Sequence, residues 1–185
     1  MKKLRIAAYT SVAVLFFVGL SIFEVNAQER GDEKPRVSPN ASVSQTIGTA
    51  KVTITYGRPS VNERNIFGGL VPYDKVWRTG ANEATTITFS KDVMIEGKKL
   101  EAGTYGLFTI PGEKNWTVIF NNVPNQWGAF DYDSAEDALR VKVTPREGRK
   151  VEQMMFYFTE VSESSGLAVM HWNEVIVPFK ISVPQ

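Results

Sequence analysis

The sequence predicts an all-β fold, specifically an antiparallel β-sandwich of about nine strands. Three observations predict it. Apolar and polar residues alternate with period two in many short segments, which is typical of strands with one buried face. Glycine, proline and asparagine separate these segments, and no helical period lasts longer than one turn. The pattern fits a jelly-roll-like or an immunoglobulin-like sandwich with two long loops.

The N-terminus has the three parts of a secretory signal peptide. Three basic residues lie within the first five positions, residues 6–23 form an uncharged apolar run, and residues 25–27 (VNA) form a cleavage site. We therefore expect residues 1–27 to be removed, although an uncleaved anchor is the alternative. Cleavage would export the protein to the periplasm or the extracellular space and leave no stable membrane span.

The composition excludes several classes of function. The formal charge is +1 over the 185 residues, and the chain stays near neutral after loss of the predicted signal. Such a balance lacks the basic surface of a nucleic-acid-binding protein, so no nucleic-acid partner is expected. The absence of cysteine excludes disulfides, a thiolate nucleophile and cysteine-bound metals. Nothing in the sequence favours one oligomeric state.

A single domain is expected to follow a short leader. Residues 28–38 are polar and charged, so they predict a flexible leader. Residues 39–185 then form the domain. Its predicted strands, in chain order, are residues 52–56, 85–89, 93–96, 104–110, 116–121, 139–143, 154–159, 167–172 and 175–183. Residues 134–137 predict one helical turn with Ser134 as its N-cap.

Two segments are too long to be tight turns. Residues 57–83 contain Arg58, Arg64 and Arg78 together with acidic and aromatic side chains, and glycines and prolines restrict their path. Residues 122–137 form the second segment. Binding residues lie disproportionately on loops held by a rigid scaffold, so these loops are the place to look for a site.

With the strand order established, residues 56–112 resemble the bacterial family catalogued as domain of unknown function 2911. The motifs that carry the resemblance are RPS at 58–60, IFG at 66–68, WRTGANEA at 77–84 and AGTY at 102–105, and residues 116–120 and 126–128 also fit. The resemblance covers nearly the whole mature chain. It implies an exported protein of the kind found largely in Bacteroidetes, and it implies no agreed activity.

The leading functional hypothesis is a non-catalytic module that binds a small anionic or carbohydrate ligand. Its cleft would be lined by Arg58, Ser60, Arg78, Asn82 and Glu83, because an arginine fork binds a carboxylate or phosphate at two points. The alternative is internal: Arg58 or Arg78 would pair with Glu83 or Asp74 and hold the loop on the sheet, as in a structural or partner-binding envelope protein.

Trp127, between Gln126 and Gly128, is the candidate for an exposed aromatic platform that would complete the binding site. A second class of function is a hydrolase that uses Glu83 with Asp131 or Asp133. No cofactor and no metal site is expected, because one histidine excludes a multi-histidine zinc site and residues 131–137 lack the spacing of a calcium-binding loop.

Overall fold

A computed structural model of the protein describes Arg30, Gly31 and residues 34–184. The predicted signal peptide, together with residues 28, 29, 32 and 33 of the predicted leader, lies outside the described residues. The strands of the described part are β1 (Asn40–Ile47), β2 (Ala50–Gly57), β3 (Thr85–Phe89), β4 (Val93–Ile95), β5 (Lys98–Leu100), β6 (Gly103–Ile110), β7 (Trp116–Asn121), β8 (Asp137–Val143), β9 (Arg146–Thr159) and β10 (Ser165–Ser182).

The strands form two antiparallel sheets, which confirms the predicted fold class. One sheet has six strands in the order β1-β2-β3-β6-β7-β8, and the other has four in the order β5-β4-β10-β9. Inward-facing apolar residues of both sheets share one core. Within it the ring of Phe120 on β7 lies 5.9 Å from that of Phe179 on β10, and Tyr56 on β2 lies 4.9 Å from Phe156 on β9. Alternation along the strands therefore produces a sandwich.

Four strands differ from the prediction. β5 was not predicted, and β9 begins at Arg146 rather than at residue 154. β1 was not among the predicted segments, although it pairs with all of β2. The segments predicted at 167–172 and 175–183 are one strand, β10, whose register with β9 shifts on both sides of Asn173. Asn173 has φ +55°, so a local irregularity accommodates the polar residues that suggested a break.

The predicted helical turn is a 3₁₀ turn at Ser134–Glu136, and its N-cap is Asp133. The Asp133 carboxylate accepts a hydrogen bond of 2.9 Å from the Ala135 amide. The assignment of Ser134 as the cap was therefore wrong by one residue, because Asp133 is itself a preferred capping residue.

The centre of the six-stranded sheet is covered on its outer face as well. Phe108 and Ile119 are fully buried there, together with Ala84. Tyr132 packs on Phe108 at 5.1 Å between ring centroids. Strict alternation predicted one solvated face per sheet, but β6 is buried without a break over 105–109. The covering segments are the first long loop, residues 58–84, and the second long loop, residues 122–133.

Candidate functional site

The first long loop is hydrogen-bonded to both sheets. The backbone of Trp77 exchanges two hydrogen bonds of 2.8 and 2.9 Å with Thr109 on β6. At the other side, the amide of Val61 donates to the carbonyl of Glu152 on β9 at 2.8 Å. The loop thus contacts strands of both sheets, and other backbone groups of the loop bond to one another, such as the Val71 amide to the Ile66 carbonyl.

Aromatic packing fixes the middle of this loop. Phe67 lies edge-on to Trp77, Trp116 and Trp172, with centroid distances of 5.9, 4.9 and 6.0 Å. The rings of Trp77 and Trp172 stack at 5.8 Å and 19°. Offset and edge-to-face pairs each add about 0.5–1.5 kcal/mol beyond the burial of area. The loop is therefore held rigidly at Phe67 and Trp77.

The backbone beyond Trp77 is in an uncommon conformation. Thr79 has φ +50° and Asn82 has φ +64°, and the left-handed region is especially unfavourable for a β-branched residue such as threonine. The Thr79 hydroxyl donates a hydrogen bond of 3.1 Å to Thr109 Oγ1. The backbone carbonyl of Thr79 accepts one of 2.8 Å from Thr85 Oγ1. These bonds hold the strained conformation, and such strain concentrates at ligand sites.

A cavity of about 280 Å³ opens beside this segment. We call it the Arg78 pocket. Its apolar lining includes Leu70, Val71 and the stacked Trp77–Trp172 pair. Its polar lining consists of Ser38, Arg64, Arg78 and Asn82, and no acidic side chain lines it within the described part of the chain. The pocket therefore combines apolar walls with an uncompensated positive charge.

Among the described residues, no carboxylate forms an ion pair with Arg78. Its side chain is half-buried, and its Nε atom is buried without an acceptor among the described residues. Burial lowers the pKa of Arg78, and no carboxylate opposes that effect. A second buried donor in the same wall, Nε1 of Trp172, also lacks an acceptor. Leaving a buried donor unpaired costs about 1–3 kcal/mol. Both atoms are closed to solvent, so a ligand in the cavity would contact the rest of the Arg78 guanidinium rather than these two donors.

Glu83 has the opposite environment. It is 4% exposed, and Arg36 donates to both carboxylate oxygens at 2.7–3.0 Å. Arg30 Nη1 lies 4.0 Å away. Burial acts to raise the pKa of Glu83, but the hydrogen bonds of Arg36 and the charges of both arginines outweigh it and hold that pKa below its ordinary value. We call these three residues the Glu83 ion-pair cluster.

The comparisons with known proteins give a family and no activity. The sequence profile described as "Protein of unknown function (DUF2911)" matches residues 38–181. The chain belongs to the DUF2911 family. No match was found among curated proteins or among solved structures. The matched range of this DUF2911 chain includes both long loops and all of the described strands except the last residue of β10, so the Arg78 pocket lies within the family domain.

The structure brings together part of the predicted site. Arg78 and Asn82 line the Arg78 pocket. Glu83 follows Asn82 but belongs to the ion-pair cluster. Trp127 forms an isolated β-bridge with Glu83, and its side chain is 56% exposed. The two long loops of this DUF2911 domain are therefore neighbours, with Trp127 on the outer surface rather than in the pocket lining.

Arg58 and Ser60 bond to the four-stranded sheet. Arg58 Nε donates to the carbonyl of Met154 at 2.9 Å, and Ser60 forms an isolated bridge with Gln153. This is a bracing role for Arg58, but its partner is a backbone carbonyl. The predicted pairing of Arg58 or Arg78 with Glu83 is wrong, because Arg36 and Arg30 occupy that carboxylate instead.

Sequence reasoning missed Arg36, Arg30 and Trp172. The two arginines lie in the predicted leader, whose composition carries no signal of tertiary contact. Trp172 lies in the predicted strand 167–172 and is buried at 1% exposure, but its place in the pocket wall depends on the loop packing against β10. No local sequence pattern could have revealed the contacts of these arginines with Glu83 or the place of Trp172 in the pocket wall.

Two residues of the hydrolase hypothesis, Glu83 and Asp133, have other partners. Glu83 is an ionised carboxylate that accepts bonds from Arg36, whereas a general acid needs a raised pKa. The Asp133 carboxylate caps the 3₁₀ turn. His171 Nε2 bonds to the Arg149 carbonyl at 2.9 Å within the four-stranded sheet. No group of three or more potential metal-binding side chains occurs among the residues that the structure describes.

One further observation concerns membranes. Within residues 30–31 and 34–184, no helix combines the length and the apolar character that a membrane crossing requires.

Proposed function

We propose that this DUF2911 domain binds a small organic anion in the Arg78 pocket and acts by binding rather than by catalysis. The observation that carries the proposal is the half-buried guanidinium of Arg78, which faces no carboxylate in a cavity of about 280 Å³. Charges removed from water are normally paired. An anionic ligand would supply the missing partner.

The other buried arginines of the described chain support this reasoning by contrast. Arg30 is as deeply buried as Glu83 and lies beside it, and Glu83 counteracts the effect of burial on the Arg30 pKa. Arg58 uses its Nε to hold the Met154 carbonyl. Only for Arg78 does burial act unopposed while the side chain lines a cavity.

The surroundings of Arg78 also suit binding. The neighbouring loop is fixed by the Phe67 and Trp77 packing, and Thr79 is held in a strained conformation by hydrogen bonds. A preorganised site loses little entropy when a ligand binds, so affinity is not spent on ordering the loop.

The carbohydrate form of the hypothesis has less support. It depended on Trp127 as a stacking platform next to the arginines. Trp127 is exposed, but it does not line the Arg78 pocket. We further propose that the domain acts outside the cytoplasm, and the support for this is the signal-like pattern of residues 1–27.

The test is a binding measurement with a panel of small anions and their neutral analogues. Isothermal titration calorimetry and thermal shift are run on the wild type, on Arg78→Gln, and on Arg146→Gln, an exposed arginine outside this pocket. We expect at least one anion to bind the wild type and Arg146→Gln, and to lose at least tenfold in affinity in Arg78→Gln. A panel without any binder, or equal binding by Arg78→Gln, would overturn the proposal.

A further inference from the structure

The residues that line the Arg78 pocket indicate which class of anion it would bind. We infer that its ligand is a monocarboxylate on a small apolar body, about the size of one ring or one branched chain. The inference rests on the proposed function of the same pocket, and it adds the ligand class. It depends on the number of free cationic groups, the nature of the walls, and the polar groups that remain available.

Arg64 and Arg78 are both cations of this pocket, but the Arg78 fork is the one without a hydrogen-bond acceptor among the described residues. Arg64 also lines the pocket, but its Nε donates to the Val61 carbonyl at 3.0 Å and its Nη2 donates to the Ser60 carbonyl at 2.6 Å. Arg64 is thus directed to its own loop. A planar guanidinium matches the two oxygens of a carboxylate. A phosphate group carries about −1.5 to −2 charges at neutral pH and would need more donors than one fork supplies.

Part of the wall is apolar and favours an apolar ligand body. Leu70, which is half exposed, lies there with Val71, Trp77 and Trp172, and polar side chains complete the lining. Removing an apolar ligand from water gains roughly 25 cal/mol per Å² of buried area. A body such as a phenyl ring would therefore add affinity here, whereas acetate, which has only a methyl group, would gain little.

Two donors of the remaining lining are already used, which leaves fewer partners for a sugar. The Asn82 side-chain amide donates to the Ser38 carbonyl at 3.1 Å. The Trp77 indole donates to the Gly80 carbonyl at 3.2 Å. A sugar ring needs several partners for its hydroxyl groups, and each unpaired hydroxyl would be penalised on burial.

The size of the cavity sets the upper limit of the ligand. At about 280 Å³ it lies just below the ~300–1,000 Å³ that is common for ligand sites. This space accommodates a single ring with a carboxylate. It does not accommodate a nucleotide or an oligosaccharide without a change in the loop.

The experiment compares four probes: benzoate, benzamide, acetate and inorganic phosphate. Benzamide keeps the ring and removes the charge, acetate keeps the carboxylate and removes the ring, and phosphate keeps a negative charge in another geometry. Affinities are measured by calorimetry for the wild type, Arg78→Lys and Leu70→Ala. Leu70 is 50% exposed, so its truncation is expected to leave the fold intact, which circular dichroism checks.

We expect benzoate to bind the wild type at least tenfold more tightly than each of the other three probes. Arg78→Lys keeps a charge but loses the fork, so it should weaken benzoate at least fivefold. Leu70→Ala should weaken benzoate about threefold or more and leave acetate unchanged, because only the ring contacts that wall.

The outcomes separate this inference from the proposed function. Arg78-dependent binding of phosphate or acetate that equals or exceeds benzoate would overturn the inference and leave the anion-binding proposal standing. Equal affinities for benzoate and benzamide would overturn it too, since the charge would then not be recognised. If no anion in this or the broader panel binds, the proposed function fails and the inference fails with it.

Discussion

Removal of Arg36 should destabilise the whole domain through Glu83. In Arg36→Ala the Glu83 carboxylate would lose three contacts of 2.7–3.0 Å while its side chain stays only 5% exposed. Removing one partner of a buried ion pair costs about 3–5 kcal/mol. We expect about 3 kcal/mol, at the lower limit, because Arg30 Nη1 still lies 4.0 Å from the carboxylate. For a domain of this size that corresponds to a fall in Tm of roughly 6–12 °C.

The assay is urea unfolding together with calorimetry of the wild type, Arg36→Ala, Glu83→Gln and the double variant. Glu83→Gln removes the buried charge, so Arg36→Ala should cost much less in that background, which is the mark of direct coupling. An Arg36→Ala variant with an unchanged Tm, or one whose loss is equal in both backgrounds, would refute the reasoning. Lys34→Ala is the control, because Lys34 is an exposed cation of the same segment.

The same cluster predicts a pH dependence. The folded-state pKa of Glu83 is lowered relative to its unfolded value. The ionised carboxylate therefore contributes stability above the unfolded pKa, about 4.3, and this contribution is lost as the pH falls through the lower folded pKa. The free energy of unfolding of the wild type should fall on acidification across that window, and that of Glu83→Gln should fall less. An equal fall in the two proteins would contradict the lowered pKa of Glu83.

Three other expectations follow from packing and titration. Gly57→Ala would place a Cβ 2.3 Å from a backbone carbonyl oxygen and should cost roughly 3 kcal/mol of stability. The Cβ of Gly97→Ala meets no atom within 4 Å, so this variant should cost only about 1 kcal/mol for its positive φ. The midpoints of urea unfolding measure both costs. Phe67→Ala should cost about 3–5 kcal/mol by removing the ring between three tryptophans, and Phe130→Ala, at 83% exposure, should stay within about 0.5 kcal/mol. Burial, with the hydrogen bond and charge of a neighbouring aspartate, raises the pKa of Tyr132 to about 12. Ultraviolet titration should therefore show Tyr132 ionising above the pH at which the tyrosines of the unfolded chain ionise. Burial also raises the pKa of Tyr105, so Tyr132→Phe should reduce this difference between folded and unfolded protein without removing it.

Most of the fold was predictable because a strand with one buried face has apolar and polar residues in alternation, and this pattern is visible in the sequence. β2 shows this well, since Val52, Ile54 and Tyr56 are all buried between more exposed neighbours. β1 has the same alternation, but of its inward positions Ala41 and Val43 are only partly buried, Gln45 is polar, and Ile47 alone is fully buried. At the edge of a sheet the pattern is weak, so the strand escaped prediction.

The site was less predictable because its decisive contacts join distant parts of the chain. The loop motif around Arg78 identified the correct region, and Asn82 lines the same pocket. The partner of Glu83 is Arg36, 47 positions earlier, in a segment whose composition predicts a flexible leader. Pairing over such a separation leaves no periodic or spacing signal, so only the folded arrangement reveals it.

The two charged sites depend on each other through Glu83. If Arg30 and Arg36 were absent, the arginine nearest to Glu83 in sequence would be Arg78, five positions away. An ion pair between Glu83 and Arg78 would leave the Arg78 guanidinium unavailable to an anion in the pocket. Arg36 holds the Glu83 carboxylate on both oxygens, and Asn82, next to Glu83, bonds to Ser38 of the same N-terminal segment. The segment therefore neutralises the acid beside the Arg78 pocket and supplies part of its wall. An anion site beside a buried glutamate is electrostatically reasonable only because this neutralisation comes from elsewhere in the chain.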